Sequence, residues 1–468
     1  GSKCKHVQIF YNKLISLFQC ITDLLSLGKY TDTIILAISS FTISCIFVEN
    51  IFDLQAHAIQ ILPAIFSRYE HHRDSIFDDI ICSLNRLPTS KKSLRSYRLS
   101  SGHSIQMFTA LIMHLIQSIV TIQNSNIQDA TNELQLLTSY SQAQNLAFKF
   151  LTLFFRSCGI KQGEDDYRNL FECFLEDLLI AANLPEWPSS EILLTLLSRI
   201  LMKNFSNQTL PIQVRLQSLD YLGSVAAQLR KDTIELDLLN TREYQQRLET
   251  IIEKTLSLIE FDEDLLEIYR TDPLRYQRSL IIYLNDLNQY EPTSQYAKMF
   301  HLGQWIRDVY LTIERLTQQL TRQVQPRRHT EFIDDIDEPI QSTTQPSSIA
   351  DEIDLKKAEK LTLMKMLTLS STQNHHQQQR FDIDYDDICL LGHYLTYNRP
   401  FLKTFDIYLK QLAAVFQSEA GTNIRSKAMK CLCTVVESDP TILGRNDIKS
   451  CVQVGLTDKS VSVREAAI

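Results

Sequence analysis

A five-residue pattern recurs in this chain, and its period limits the fold. It reads Ile424-Arg425-Ser426-Lys427-Ala428, then Val463-Arg464-Glu465-Ala466-Ala467, and earlier Val214-Arg215-Leu216-Gln217-Ser218. Arg425 and Arg464 lie 39 residues apart. Such a period belongs to helical-repeat solenoids, whose units are helix pairs that cannot bury their apolar faces alone. Ile424, Ala428, Cys431 or Leu432, and Val435 fall on one face of a helix. Solenoids present long curved surfaces, so the sequence raises the question of what this surface holds.

An acidic residue stands six positions before the arginine in two copies, Glu419 before Arg425 and Asp458 before Arg464. In the third copy that position is Thr209. The arrangement resembles the HEAT-repeat consensus, in which an acid precedes a Val-Arg pair on the second helix. That resemblance implies a ladder of acid–arginine bonds within and between repeats. Arg215, Glu419, Arg425, Asp458 and Arg464 are therefore expected to be structural.

Composition supports an all-α chain. Only 11 Gly and 12 Pro are spread over 468 residues, and alternating strand patterns with Asn-Gly turns are hard to find. The expected fold is a HEAT-repeat right-handed α-solenoid, curved or hook-shaped. HEAT-type repeats are expected over 1–323 and 351–468, separated by a disordered acidic and polar insert at 324–350. A second polar break falls at 371–380, around Asn374-His375-His376-Gln377. Helices are expected at 9–27, 33–47, 53–69, 104–123, 129–158, 165–182, 191–204, 211–230, 241–258, 262–269, 273–289 and 293–322. Ser189 or Ser190 is expected to cap the helix after Pro188, and Pro211 suits a first helical turn. The chain stops at Ile468, midway through a helix begun near Ser462, so the natural protein is expected to continue.

The ten cysteines are scattered without a CxxC pair, which suits reduced thiols of the cytosol or nucleus. The uncharged stretch 33–48 is short for a bilayer span and 102–128 is broken by polar residues, so both read as buried helices and no membrane partner is expected.

Motifs for phosphate binding, zinc proteolysis or a serine nucleophile are missing. Asp382-Ile383-Asp384-Tyr385-Asp386 opens like a calcium loop, yet Asp387 stands where the turn glycine belongs and His393 where the bidentate acid belongs. Asp384 or Asp386 suits a helix N-cap better. His71-His72 and His375-His376 are adjacent pairs, which point apart on a helix, so neither is expected to share a metal. No cofactor and no catalysis are expected.

Net charge is −8, but its distribution is uneven. Between Asp79 and Asp129 there is no acid, and Arg86, Lys91, Lys92, Arg95 and Arg98 fall in that gap. Lys91, Lys92, Arg95 and Arg98 recur at spacings of three and four, as one stripe of a helix would. Such a stripe suits contacts to a phosphate backbone. An acidic protein partner or a plain solvated face would account for the same residues.

Longer motifs carry a family likeness. Leu87-Pro88-Thr89-Ser90-Lys91-Lys92-Ser93-Leu94-Arg95-Ser96-Tyr97-Arg98-Leu99, followed by Ile105-Gln106-Met107-Phe108-Thr109-Ala110-Leu111, resembles the Nipped-B or adherin family of cohesin-loading subunits. Asn183-Leu184-Pro185-Glu186-Trp187-Pro188, Ser218-Leu219-Asp220-Tyr221-Leu222-Gly223, Gln304-Trp305-Ile306-Arg307-Asp308 and Arg399-Pro400-Phe401 follow in matching order. Lys427-Ala428-Met429-Lys430-Cys431-Leu432 and Ser462-Val463-Arg464-Glu465-Ala466-Ala467 complete it. The likeness covers about residues 75–468. It implies a hook-shaped nuclear protein that loads cohesin rings onto DNA, stimulates the ATPase of the cohesin SMC heads and contacts the kleisin subunit. It also implies support for loop extrusion and sister-chromatid cohesion. Lys91, Lys92, Arg95 and Arg98 become candidate contacts to double-stranded DNA. The family's smaller loader partner binds an extended N-terminal region that has no counterpart here, so this segment is not expected to bind it. The C-terminal repeats that complete the hook also have no counterpart. A HEAT scaffold or transport adaptor that binds only protein is the alternative reading.

Overall fold

The computed structural model describes residues 2–48, 51–87, 95–122, 130–159, 166–238, 241–256, 273–288, 291, 293–324, 346–367, 383–397, 399, 401–417 and 421–468. These residues form an all-α array with one small hairpin. In order the elements are α1 (Ser2–Leu27), α2 (Asp32–Ile46), α3 (Phe52–Arg68), α4 (Arg73–Cys82), β1 (Arg95–Arg98), β2 (Ser104–Gln106) and α5 (Met107–Ser118). Then come α6 (Ala130–Cys158), α7 (Arg168–Ala181), α8 (Ser189–Ser206), α9 (Ile212–Leu238), α10 (Arg242–Leu256), α11 (Leu274–Leu287) and α12 (Ser294–Val324). The last are α13 (Pro346–Met366), α14 (Tyr385–Tyr397), α15 (Phe405–Gln417), α16 (Thr422–Ser438), α17 (Asn446–Leu456) and α18 (Val461–Ala467). Among the described residues no helix is long and apolar enough to cross a membrane.

The centre of the array is α5. All twelve of its residues are buried, polar Gln117 and Ser118 included. A helix that is apolar all round must be covered on every side. Helices α3, α8 and α12 all pack against it. Gln117 and Ser189 answer the burial of their polar atoms by bonding each other. The Ser189 hydroxyl donates to Gln117 Oε1 at 2.8 Å and to the Met113 carbonyl at 3.1 Å. Ser190 donates to the carbonyls of Trp187 and Ala181. These two serines lie inside α8 and bolt it to its neighbours instead of capping it, which corrects the expected capping role.

Helix α9 packs closely along α16. The approach requires a glycine: a Cβ built on Gly223 would lie 2.6 Å from Cys431 Cβ. Beside that contact Lys427 Nζ meets Asp220 Oδ1 at 2.6 Å, and the Cys431 thiol donates to the Leu219 carbonyl at 3.4 Å. Cys433, two residues on, instead faces α18, where its thiol donates to the Ala466 carbonyl. Two of the family-like motifs, 218–223 and 427–432, are thus pressed together though about 200 residues apart.

Most helices fall where periodicity places them. Pro211 opens α9, its carbonyl accepting the Val214 and Arg215 amides. Asp384 sits just before α14 and accepts the amides of Asp387 and Ile388 through its carbonyl, so Asp386 and Asp387 are helical and cannot form a calcium loop. Two expectations change. Residues 346–350, assigned to the polar insert, already form the first turn of α13, with Pro346 at the position where a missing amide costs nothing. The segment 104–106 is a strand, and the helix starts only at Met107. The expected helix 262–269 and the break 371–380 lie outside the described residues.

Candidate nucleic-acid interface

The described end of the basic segment, Arg95–Arg98, is a strand of a β-hairpin. Strands β1 and β2 pair antiparallel, with Arg95 opposite Gln106, Tyr97 opposite Ile105 and Arg98 opposite Ser104. A bulge falls between Arg95 and Tyr97. The turn is closed by the Leu99 amide donating to the His103 carbonyl at 2.8 Å and the Gly102 amide donating to the Leu99 carbonyl at 3.0 Å. Gly102 has φ of 82°, a backbone region that side-chain-bearing residues avoid. The spacing of three and four among the basic residues therefore does not make a helical stripe. Lys91 and Lys92 lie outside the described residues, and of Arg95 only the strand position is described. Arg98 is exposed, and no carboxylate pairs with it among the described residues.

The hairpin is anchored by its other side chains. Leu99 and Ile105 are buried, and the Tyr97 ring stands edge-on to Trp187 with centroids 5.7 Å apart. His114 lies on the same Trp187 at 4.5 Å, and burial pushes its imidazole pKa down to about 3, so it is neutral at physiological pH. Asp177 of α7 reaches across: its Oδ2 accepts the Gln106 amide at 2.8 Å and the Thr109 hydroxyl at 2.9 Å. One buried carboxylate thus fixes the end of β2 and satisfies donors at the start of α5. Tyr97, Arg98, His114, Glu186 and Glu291 border a cavity of about 30 Å³, room for one water. Glu186 is itself buried. Burial pushes its carboxyl up to about 7, even though the hydroxyls of Tyr385 and Tyr283 donate to it at 3.0 and 3.2 Å.

The repeat arginines serve the frame. Arg425 places Nε 2.8 Å from Asp458 Oδ2 and a terminal nitrogen 3.0 Å from Oδ1, a two-pronged bond from one repeat to the next. Those bonds, foremost, hold the Asp458 carboxyl below its usual range. Arg464 does not take the side chain of its own Asp458; it donates to the backbone carbonyls of Asp458 and Lys459 at 2.7 and 3.1 Å. Arg215 likewise donates to the Phe205 carbonyl at the end of α8, at 3.1 Å. Glu419 lies outside the described residues.

A second arginine centre was not singled out in the sequence. Arg399 donates from Nε to Glu191 Oε2 at 2.5 Å and from a terminal nitrogen to Asp308 Oδ2 at 2.9 Å. Gln304 also donates to Glu191 Oε2, and His301 meets the Pro185 carbonyl at 2.9 Å. Burial pulls the Arg399 pKa down, but the facing carboxylates outweigh it and the guanidinium stays charged. Pro185, Gln304 and Asp308, and Arg399, from three motifs separate in sequence, meet at this one node.

Fold and surface together define a HEAT-type helical-repeat protein. The family model described as "HEAT repeat associated with sister chromatid cohesion" matches residues 430–468, the stretch that carries the last copy of the pattern. The whole chain is 38% identical to the human Nipped-B-like protein, of which it covers 16%, and 38% identical to zebrafish Nipped-B-like protein A, of which it covers 19%. Against the Drosophila Nipped-B protein the identity is 33% over 99% of this chain and 25% of that one. A solved structure, the Chaetomium thermophilum cohesin loader SCC2 C-terminal fragment, superposes over all of this chain and 34% of its own with a TM-score of 0.70 at 21% identity. The chain belongs to the Nipped-B family and spans about a quarter or less of the length of these relatives.

Proposed function

We propose that this chain is a segment of a nuclear cohesin loader that holds duplex DNA and cohesin without catalysis of its own. The observation that carries the reading is the family likeness along the entire chain, joined to a rigidly anchored hairpin that turns Arg98 to solvent. Lys91, Lys92, Arg95 and Arg98 grip the phosphate backbone, which positions a duplex without reading its sequence. The overall charge of −8 opposes DNA, so binding depends on this local excess of positive charge. The neighbouring repeats press the SMC heads toward their ATP-engaged state and meet the kleisin, and the effect is stimulation of the SMC ATPase.

The test reverses these four charges in a loader that is otherwise active. Stimulation of the cohesin ATPase is expected to lose its DNA-dependent part while the DNA-independent part remains. Unchanged DNA affinity, with an unchanged dependence on salt, would remove the four residues from the DNA role and favour a protein-only scaffold.

A further inference from the structure

We propose that Asp32, His71 and His72 form a binding site for a divalent transition-metal ion of the zinc type. Asp32 opens α2, and the two histidines close the 3-10 turn Glu70–His72 that follows α3. Adjacent residues on an α-helix diverge, but on this turn both rings swing to one side, with centroids 4.1 Å apart. Asp32 Oδ1 lies 3.0 Å from His71 Nε2 and 3.1 Å from His72 Nε2. All three ligating atoms fall within 4.8 Å of one another. The divergence of adjacent side chains on an α-helix, on which no shared metal was expected, therefore does not apply to this pair.

Two imidazole nitrogens and one carboxylate oxygen are the donor set that zinc accepts, at bond lengths of about 2.0–2.2 Å. Tetrahedral angles at such lengths separate ligand atoms by about 3.3 Å. The two separations from Asp32 Oδ1 need to open by only a few tenths of an ångström. In the metal-bound form each imidazole keeps its proton on Nδ1 and offers the Nε2 lone pair. Without a metal, the same atoms approach as two N–H groups donating to one oxygen. The site has a firm side and an open side. His72 is largely buried, whereas the Asp32 and His71 side chains are 68% and 61% exposed. Remaining coordination positions thus face solvent and suit water or a ligand from a partner. The turn is already tied to the loop before α2, since the Tyr30 amide donates to the Tyr69 hydroxyl at 2.8 Å. A metal would add a second tie across the same junction.

The experiment titrates Zn²⁺ into this chain with the thiols Cys4, Cys20 and Cys82 changed to serine, which reduces competition from soft ligands. One equivalent is expected to bind, the thermal midpoint is expected to rise, and Co²⁺ is expected to give a visible spectrum of nitrogen and oxygen ligation. His71→Ala and Asp32→Asn are expected to weaken binding at least tenfold and to abolish the cobalt spectrum. Both residues are exposed, so circular dichroism is expected to remain that of the parent. His72→Gln, which keeps the bulk of the buried ring, checks the third ligand. No Zn²⁺ binding by the parent, or equal binding by His71→Ala, or a cobalt spectrum of the free aquo ion, would overturn the proposal and leave a hydrogen-bonded stitch.

Discussion

Arg399 and Arg425 both answer carboxylates with two nitrogens, yet they hold different things together. Arg425 belongs to the repeated pattern and bonds Asp458 only 33 residues away, near the surface, in the neighbouring repeat. Arg399 lies outside the recurring five-residue pattern and bonds Glu191 at a separation of 208 residues and Asp308 at 91, inside the array. The repeating arginine sets the step between units. The solitary one fixes how distant units close on each other. Arg98 makes the third case, an exposed arginine with no carboxylate partner among the described residues. Charge locked into the frame and charge left to solvent can thus be told apart by what each guanidinium meets.

The largest expected effect falls on the buried node. Arg399→Leu leaves Glu191 buried without its cation, and breaking a buried pair from one side costs about 3–5 kcal/mol. Urea unfolding followed by circular dichroism is expected to register that loss. A loss under about 1 kcal/mol would put the node on the same footing as a surface pair.

Glu186 comes next. Its folded-state pKa of about 7 stands above the ordinary carboxyl value of 4.5, so the folded chain binds the proton more tightly than the unfolded chain. Stability from this group is full below pH 4.5 and is lost as pH rises to about 7. Glu186→Gln removes that dependence, so between pH 4 and pH 8 the parent is expected to lose on the order of 3 kcal/mol relative to the variant. Thermal midpoints of both proteins across that range check the sign.

Gly223→Ala forces a methyl against Cys431 and is expected to cost about 1–3 kcal/mol by overpacking the contact between α9 and α16. Arg425→Ala is expected to cost about 1 kcal/mol or less, since the pair lies near the surface and is screened. Most of that small loss should disappear in high salt. Were Arg425→Ala to cost as much as Arg399→Leu, the distinction between step and closure would fail.

The repeat pattern made the solenoid legible, because 3.6-residue periodicity and short polar breaks are local properties of the sequence. The hairpin was not legible in the same way. Lys91, Lys92, Arg95 and Arg98 match helical spacing, and that signal overrode a weaker one. Tyr97, Leu99 and Ile105 fall on odd positions, with Ser100-Ser101-Gly102 between them, as a short hairpin requires. The charge told where the surface was but not its geometry. The Arg399 node was hidden for another reason: its residues sit in three distant stretches, and no local rule pairs Glu191 with Arg399. Each stretch nevertheless holds or adjoins a motif that carried the family likeness. The convergence of His71 and His72 was not legible either, because adjacent side chains diverge on an α-helix and the backbone here forms a 3-10 turn.

The most direct test compares Arg98→Glu with Arg425→Glu, which change net charge equally. Affinity for a short duplex is measured for each across a salt series. Arg98→Glu is expected to weaken binding and to lower the slope of log affinity against log salt by about one, as loss of one phosphate contact does. Arg425→Glu is expected to leave the slope unchanged. Equal slopes in the two variants, or an effect of Arg425→Glu alone, would contradict the assignment of free positive charge to the hairpin.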